Sequence, residues 1–332
     1  MLVLSHDDVV AALPPEDCAE AMAEVLAARA RGGTYMPLRT ITTPPDAAGA
    51  IGLMPAWRGP AHDRPSVFSL KAICLIPDNP RRGLDAHQGL VALFDGDTGV
   101  PLAVLDASAI TAVRTAAVSA VATALLAREG SRVLAILGAG VQARSHVNAL
   151  LRVRSFEEVR VYAPTHDHAR DVIASIVPPP GNGTLSADAA MTARHAVRDA
   201  DVVVTATSSR TPVLELDWLS PGTHVNAVGA SLPSTRELTP ETVAAAALFT
   251  DSRESIRNEA GEYRAALESK LIDDDHVRAE LGEVLAELAP GRRNEHEITL
   301  FRSLGLAVED LAAAERAVRT AAKIGTGTEV HL

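Results

Sequence analysis

The stretch VLAILGAGVQARSHVNAL, residues 133–150, constrains this chain more than any other. Its first five residues are apolar without interruption, as in a strand buried on both faces. Gly138, Gly140 and Ala143 follow in the spacing G-x-G-x-x-A, and a helix begins at once. In such a turn the first glycine permits the tight bend and the second lets backbone approach a pyrophosphate, while the alanine allows close helix–strand packing. The free amides at the helix start then face the phosphates. The spacing alone is a weak signal, since a glycine-tight turn without nucleotide reads the same. Here VRVYA (159–163), DVVVTAT (201–207), HVNAVGA (224–230) and ALFTD (247–251) continue the alternation of strand and helix. That pattern implies a doubly wound parallel sheet, a Rossmann-type α/β domain. PPPGNG, residues 178–183, reads as a loop inside it.

An NAD-specific site usually carries Asp or Glu at the end of the second strand, gripping the ribose 2′-hydroxyl. Here Ala163, Pro164 and Thr165 stand there, and Asp167 comes late. Without that acid nothing repels a 2′-phosphate, and Thr165 and His166 are able to hydrogen-bond one. The expected cofactor is NADP(H), with NAD(H) as the alternative.

The flanking segments have another texture. Residues 5–31 read as helical, with Ser5 as cap and Pro14-Pro15 starting a second helix. Short β-like runs fill residues 36–105, and DGDTG (95–99) reads as a hairpin turn. An alanine-rich helix follows, with Ser108 or Thr111 as cap and Gly130 as stop. LAVEDLAAAERAVRTAAK reads as one long helix returning to this first, α+β domain. The run Asp273, Asp274, Asp275 is expected to precede a helix.

The chain has 31 basic and 42 acidic residues among 332, a net charge of −11, which argues against a nucleic-acid or anionic-membrane partner. Two cysteines match no metal or redox spacing, and no signal peptide shows, so a cytoplasmic setting is expected. No apolar stretch reaches the roughly 18 uncharged residues of a membrane span.

In VFSLKAICLIPDNP, residues 67–80, Lys71 interrupts a run that otherwise suits a buried strand. Alternation points it the same way as Val67, Ser69, Ile73 and Leu75, where an ammonium needs a partner or a task. Arg39 and Arg114 also sit in apolar context, and the three together would suit a carboxylate. A structural salt bridge is the plainer reading for either arginine alone. His87 and Gln88 precede a strand and are candidates to line the same cavity. His166 and His168 resemble a metal pair but fit an ordinary helix start, and no metal is assigned. No G-x-S-x-G elbow supports a serine hydrolase.

Several stretches carry a resemblance along almost the whole chain: IGLMPAW, LKAICLIPDNP, AHQGLVALFDGDTGVPLAVLD, ITAVRTAAVSA, ILGAGVQARSH, HVNAVGASLPSTREL, ELGEVL and TLFRSLGLAVED. The sequence resembles the ornithine cyclodeaminase/μ-crystallin family. The resemblance implies a substrate-binding and dimerisation domain from residues 1–119 and 306–332, a dinucleotide domain over 120–305, and a homodimer. It implies Arg39, Lys71 and Arg114 around a substrate carboxylate, with Lys71 assisting proton transfer. Met54, His87, Gln88 and Ser231 join the expected substrate contacts. The expected cofactor contacts are Thr115, Gly138, Gly140, Val141, Gln142, Ala143, Pro164, Thr165, His166, Thr207, Val228, Gly229, Ser303 and Gly305.

Two departures bear on the reaction. Where the cyclodeaminases carry an aspartate after N-A-V-G-x and a glutamate before L-M-P, this chain has Ser231 and Gly52. Both carboxylates for a terminal ammonium are missing, which disfavours a diamine substrate. The expectation is NAD(P)H-dependent reduction of a small α-imino carboxylate, a cyclic ketimine such as 1-pyrroline-2-carboxylate or 1-piperideine-2-carboxylate. The alternatives are ornithine or lysine cyclodeamination or amino-acid dehydrogenation with NAD, and a non-catalytic binder of NADPH and a small molecule.

Overall fold

Strict alternation along residues 50–58 and 67–75 decides the first sheet. On Ala50–Arg58 the residues Gly52, Met54, Ala56 and Arg58 are buried while Ile51, Leu53 and Pro55 are exposed; on Val67–Leu75, Val67, Ser69, Lys71 and Ile73 are buried. Period two with one covered face is the signature of an antiparallel sheet packed on one side. The computed structural model, which describes residues 1–61, 64–180 and 184–331 without the side chain of Pro80, shows that sheet. Its strands run in the order Thr328–Glu329, Leu2–Leu4, Pro101–Asp106, His87–Asp95, Val67–Leu75, Ala50–Arg58 and Thr34–Tyr35, with Thr40–Thr42 also on Ala50–Arg58. All pairs are antiparallel except Leu2–Leu4 with Pro101–Asp106. Helix Ala307–Ile324 covers the inner face beside helix Pro15–Ala30. It ends at Gly325, whose φ of 72° supplies the left-handed cap.

The chain divides into two units, residues 1–114 with 305–332, and residues 115–304. The second holds eight parallel strands in the order Ser186–Ala189, Glu158–Tyr162, Val133–Leu137, Val202–Thr205, His224–Ala227, Thr299–Arg302, Ala247–Thr250 and Val277–Glu280. Successive residues of one strand enter different cores: Leu134 and Ile136 pack with Val147, Val159 and Val204, whereas Ala135 and Leu137 pack with Val203, Val225 and Leu300. A sheet covered on both faces leaves no polar side, hence the unbroken apolar runs. This is the doubly wound arrangement, and its strand order reverses between Val133–Leu137 and Val202–Thr205.

Some local readings need correcting. Helix Ala107–Leu126 is capped by Asp106, whose Oδ1 accepts from the Ala109 amide at 2.7 Å; Ser108 and Thr111 already lie inside it, and it stops four residues before Gly130. This helix is long and apolar enough, by length and composition, to cross a membrane, yet 72% of that apolar window is buried inside the protein. Asp273, Asp274 and Asp275 lead into strand Val277–Glu280, not a helix, and the Asp273 carboxylate accepts from the Asp275 amide at 3.1 Å, which shapes a turn. His87 and Gln88 begin their strand, so they do not precede it. Residues 181–183 of the proline-rich loop lie outside the described residues.

Candidate active site

Lys71 is 3% exposed, and its strand neighbours are Met54 on one side and Val91 on the other. Its Nζ donates to Thr111 Oγ1 at 2.7 Å and to Asp310 Oδ1 at 3.1 Å. The Thr111 hydroxyl gives its own hydrogen to the Ala107 carbonyl at 2.6 Å, so it offers the lysine a lone pair. Arg114 reaches the same Asp310 oxygen with Nε at 3.0 Å and Glu309 Oε2 with Nη1 at 3.0 Å. Glu309 also accepts from the Leu306 amide, fixing the first turn of helix Ala307–Ile324. Arg39 donates from Nη2 to the Gly305 carbonyl at 2.8 Å.

Gly305 explains how the arginine fits. Its φ is 79°, and a Cβ there would come within 2.6 Å of Arg114 Nη1. Only glycine permits both the left-handed backbone and the guanidinium beside it.

Arg39, Lys71 and Arg114 thus stand close to Glu309 and Asp310, and both arginines act on the lysine through their charge. Burial pushes the Asp310 carboxyl up, but Lys71 and Arg114 outweigh it and hold its pKa below the ordinary carboxylate value. Burial drives Lys71 down; Asp310 pulls it back, and Arg114 and Arg39 push it further, so that it settles at about 8. A lysine so tuned gives up a proton near neutral pH, as an unperturbed lysine would not.

Among the other expected substrate contacts, Met54 pairs directly with Lys71 and is buried. His87 shares the lysine's side of the sheet, and burial lowers its pKa, with Lys71 and Arg114 adding to the effect against Asp85. Gln88 follows the alternation to the other face, its amide donating to the Asp85 carbonyl, so the two do not line one cavity. Ser231 belongs to the second unit, on the loop after strand His224–Ala227. Glu309 and Asp310 were not singled out from sequence, because acids in a first helical turn ordinarily complement the dipole.

In the second unit, Gly138 and Gly140 are glycines for different reasons. Gly138 has φ 129°, and a Cβ there would stand 2.3 Å from the Ala206 carbonyl oxygen. At Gly140, the N-cap of helix Val141–Leu150, nothing among the described residues beyond its own chain neighbours lies within 4 Å of such a Cβ. The chain itself makes no demand for glycine there, which fits a turn kept bare for close approach of a pyrophosphate. No side chain caps that helix, which begins with Val141, Gln142 and the buried Ala143. Thr165 caps helix His166–Ala174 without a side-chain bond, and Pro164 beside it is exposed. Thr207, Val228 and Gly229 lie just past the ends of strands Val202–Thr205 and His224–Ala227. Ser303 follows strand Thr299–Arg302, and Thr115 is buried on its helix. Gly305 stands in the first unit with the arginines. Among the described residues no cluster of three or more metal-ligating side chains occurs.

The profile of the ornithine cyclodeaminase/mu-crystallin family matches residues 1–325. The chain belongs to this family. A curated relative is ketimine reductase mu-crystallin of Rattus norvegicus, 39% identical over 284 residues, covering 86% of this chain and 84% of that protein. Among solved structures, Thermococcus litoralis Δ1-pyrroline-2-carboxylate reductase in complex with NADH and L-proline is 35% identical with a TM-score of 0.93, covering 99% of this chain and 100% of the other. An archaeal alanine dehydrogenase dimer with bound NAD is 32% identical with a TM-score of 0.91, covering 100% and 99%. The fold expected from the glycine turn and the resemblance is thus the fold found.

Proposed function

We propose that this protein reduces a small α-imino carboxylate, a cyclic ketimine such as 1-pyrroline-2-carboxylate or 1-piperideine-2-carboxylate, with a nicotinamide nucleotide. The observation that carries the reading is Lys71: buried, bonded to Asp310 and Thr111, flanked by two arginines, and held at a pKa of about 8. When bound, the nicotinamide supplies the hydride. The chain's own residues do the rest. Arg39 and Arg114 hold the substrate carboxylate through their guanidinium N–H groups. Lys71 donates the proton to the imine nitrogen, and Asp310 keeps the ammonium charged until it does. Solved relatives holding L-proline with NADH, and NAD, support the substrate class and the nucleotide.

Finer points follow from the same residues. NADP(H) is the favoured cofactor, because no acid stands at the end of strand Glu158–Tyr162 and the uncapped start of helix His166–Ala174 offers Thr165 and His166. Gly52 lies on the buried side of its strand, in register with Ile73 and two pairs from Lys71, and supplies no carboxylate for a diamine's ammonium. Homodimer formation has support in the outward face of the first sheet, where Ile51, Leu53, Phe68, Leu90 and Leu102 are exposed together. Free thiols at Cys18 and Cys74 suit a reducing cytoplasm.

The test is NADPH and NADH oxidation with a panel of cyclic ketimine carboxylates, beside pyruvate with ammonia, and ornithine assayed for ammonia release. Fast ketimine-dependent oxidation is expected. Preferential turnover of pyruvate with ammonia would move the assignment to an alanine dehydrogenase. Ammonia from ornithine without net oxidation would overturn it for a cyclodeaminase.

A further inference from the structure

Glu237 is fully buried in the second unit, and nothing in the reaction above uses it. It lies in SLPSTREL, the stretch after strand His224–Ala227. Its backbone is pinned, since its carbonyl accepts from the amides of Val213 at 2.7 Å and Leu214 at 3.0 Å. Its carboxylate takes three donors. Oε1 accepts from the Thr207 amide at 2.7 Å, and Oε2 accepts from the Gly229 amide at 2.7 Å and from Thr205 Oγ1 at 2.9 Å.

These donors share a position. Thr207 and Gly229 lie two residues beyond the last residues of neighbouring parallel strands, Thr205 and Ala227. Past that edge the ladder thins out: the Gly229 amide still meets the Thr205 carbonyl at 3.3 Å, and Glu237 gives it a shorter second acceptor while taking the Thr207 amide. The carboxylate thus extends the pairing of the two strands past their ends. The two tips are also pressed together: a Cβ at Gly229 would come 2.0 Å from the Thr207 carbonyl oxygen and 2.6 Å from Glu237 Oε1. On the other side, a Cβ at Gly138 of the glycine turn would come 2.3 Å from the Ala206 carbonyl oxygen. Three consecutive strand tips therefore fit against one another with no slack, and Glu237 ties the last two.

In a doubly wound sheet each half serves one mononucleotide, and the halves meet where the strand order reverses. The glycine turn and Pro164 to His166 follow the first two strands of one half; Thr207 and Gly229 follow the first two strands of the other. We infer that Glu237 is a positioning residue that sets the two loops receiving the second mononucleotide of the dinucleotide, the nicotinamide half. This rests on the nucleotide reading given above. A carboxylate is required because all three partners are donors. In a glutamine only one oxygen accepts, and the amide nitrogen would face an N–H. Arg302 supplies positive charge to Glu237 from within the same buried region, and is itself paired with Glu262 at 2.5 Å.

The experiment uses the full-length protein. Wild type and Glu237→Gln are titrated with NADPH, NADH, ADP-ribose and 2′-phospho-ADP-ribose, and thermal unfolding is followed alongside. The expected result is a loss of about tenfold or more in dinucleotide affinity, with ADP-ribose affinities within about twofold of wild type. Thr205→Val removes one of the three donors without changing shape much; it should show the same split at smaller size, and it keeps the test open if Glu237→Gln does not fold. Equal losses for ADP-ribose and dinucleotide, or no loss for either, would overturn the inference. Wild type that binds no dinucleotide would instead sink the nucleotide reading, and the inference with it.

Discussion

The two units build their sites from opposite materials. In the first, long charged side chains from four separate stretches meet: Arg39, Lys71, Arg114, and Glu309 with Asp310. In the second, the glycine turn and the neighbouring strand tip are made largely of backbone and of side chains that are absent, at Gly138 and Gly140 and at Gly229. Charge holds one and shape the other. The difference teaches where each is fragile: the first should lose chemistry when one group is removed, and the second should lose binding when one atom is added.

The sharpest test of that contrast is Lys71→Ala, which should lower kcat by about a hundredfold or more while nucleotide affinity stays within about twofold. Single-turnover kinetics and nucleotide titration read the two quantities separately, and equal losses would break the contrast.

Adding one methyl to the second unit should sort its glycines. Gly140→Ala should keep the melting temperature near that of wild type yet weaken nucleotide binding about tenfold, since only the ligand needs the space. Gly138→Ala should destabilise the fold itself, because its φ of 129° and the Ala206 carbonyl both oppose a side chain. If Gly140→Ala bound nucleotide normally, the shape argument would fail.

The charge argument has its own sign. In the reductive direction Lys71 must carry its proton, so activity should fall as pH rises through about 8. Asp310 favours the charged lysine, so Asp310→Asn should move that alkaline limb to lower pH, readable in kcat/KM against pH. A limb that stayed in place would separate the lysine from the aspartate.

The smallest effect concerns the second unit's interior. His224 and His146 are fully buried, and burial pushes their pKa values down to about 3 and about 4. Both stay neutral in the fold, bonded to Thr299 and Asn226 and to Ser119 and the Gln142 carbonyl. Below the unfolded value near 6.5, the unfolded chain takes up protons that the folded chain refuses, so stability falls with falling pH. At pH 5 each histidine should cost about 2 kcal/mol relative to neutral pH. Thermal melts at both pH values check this, and His224→Gln should flatten the dependence.

Much of the second unit was readable because its signals are local. The strand, the glycine turn and the helix are contiguous, and each glycine's spacing states its own reason. The reading of Gln88 with His87 failed on a local point: once both lie inside a strand, adjacent residues face opposite ways. Asp106 displaced Ser108 and Thr111 as cap for a similar reason, since the helix starts two residues earlier than a Ser108 cap would place it.

The amino-acid sequence alone determined the doubly wound sheet, the glycine turn, and the oddity of a lysine in an apolar strand. Those properties come from periodicity and from steric rules acting over a few neighbouring residues. Only the tertiary structure decided what that lysine is bonded to. Asp310 lies 239 residues away on a helix whose acids look like ordinary dipole partners, and it is the fold that makes one carboxylate oxygen serve both Lys71 and Arg114. Glu237 is the same lesson in the second unit: a charge's partners are set by where the chain returns, and no local pattern records the place of return.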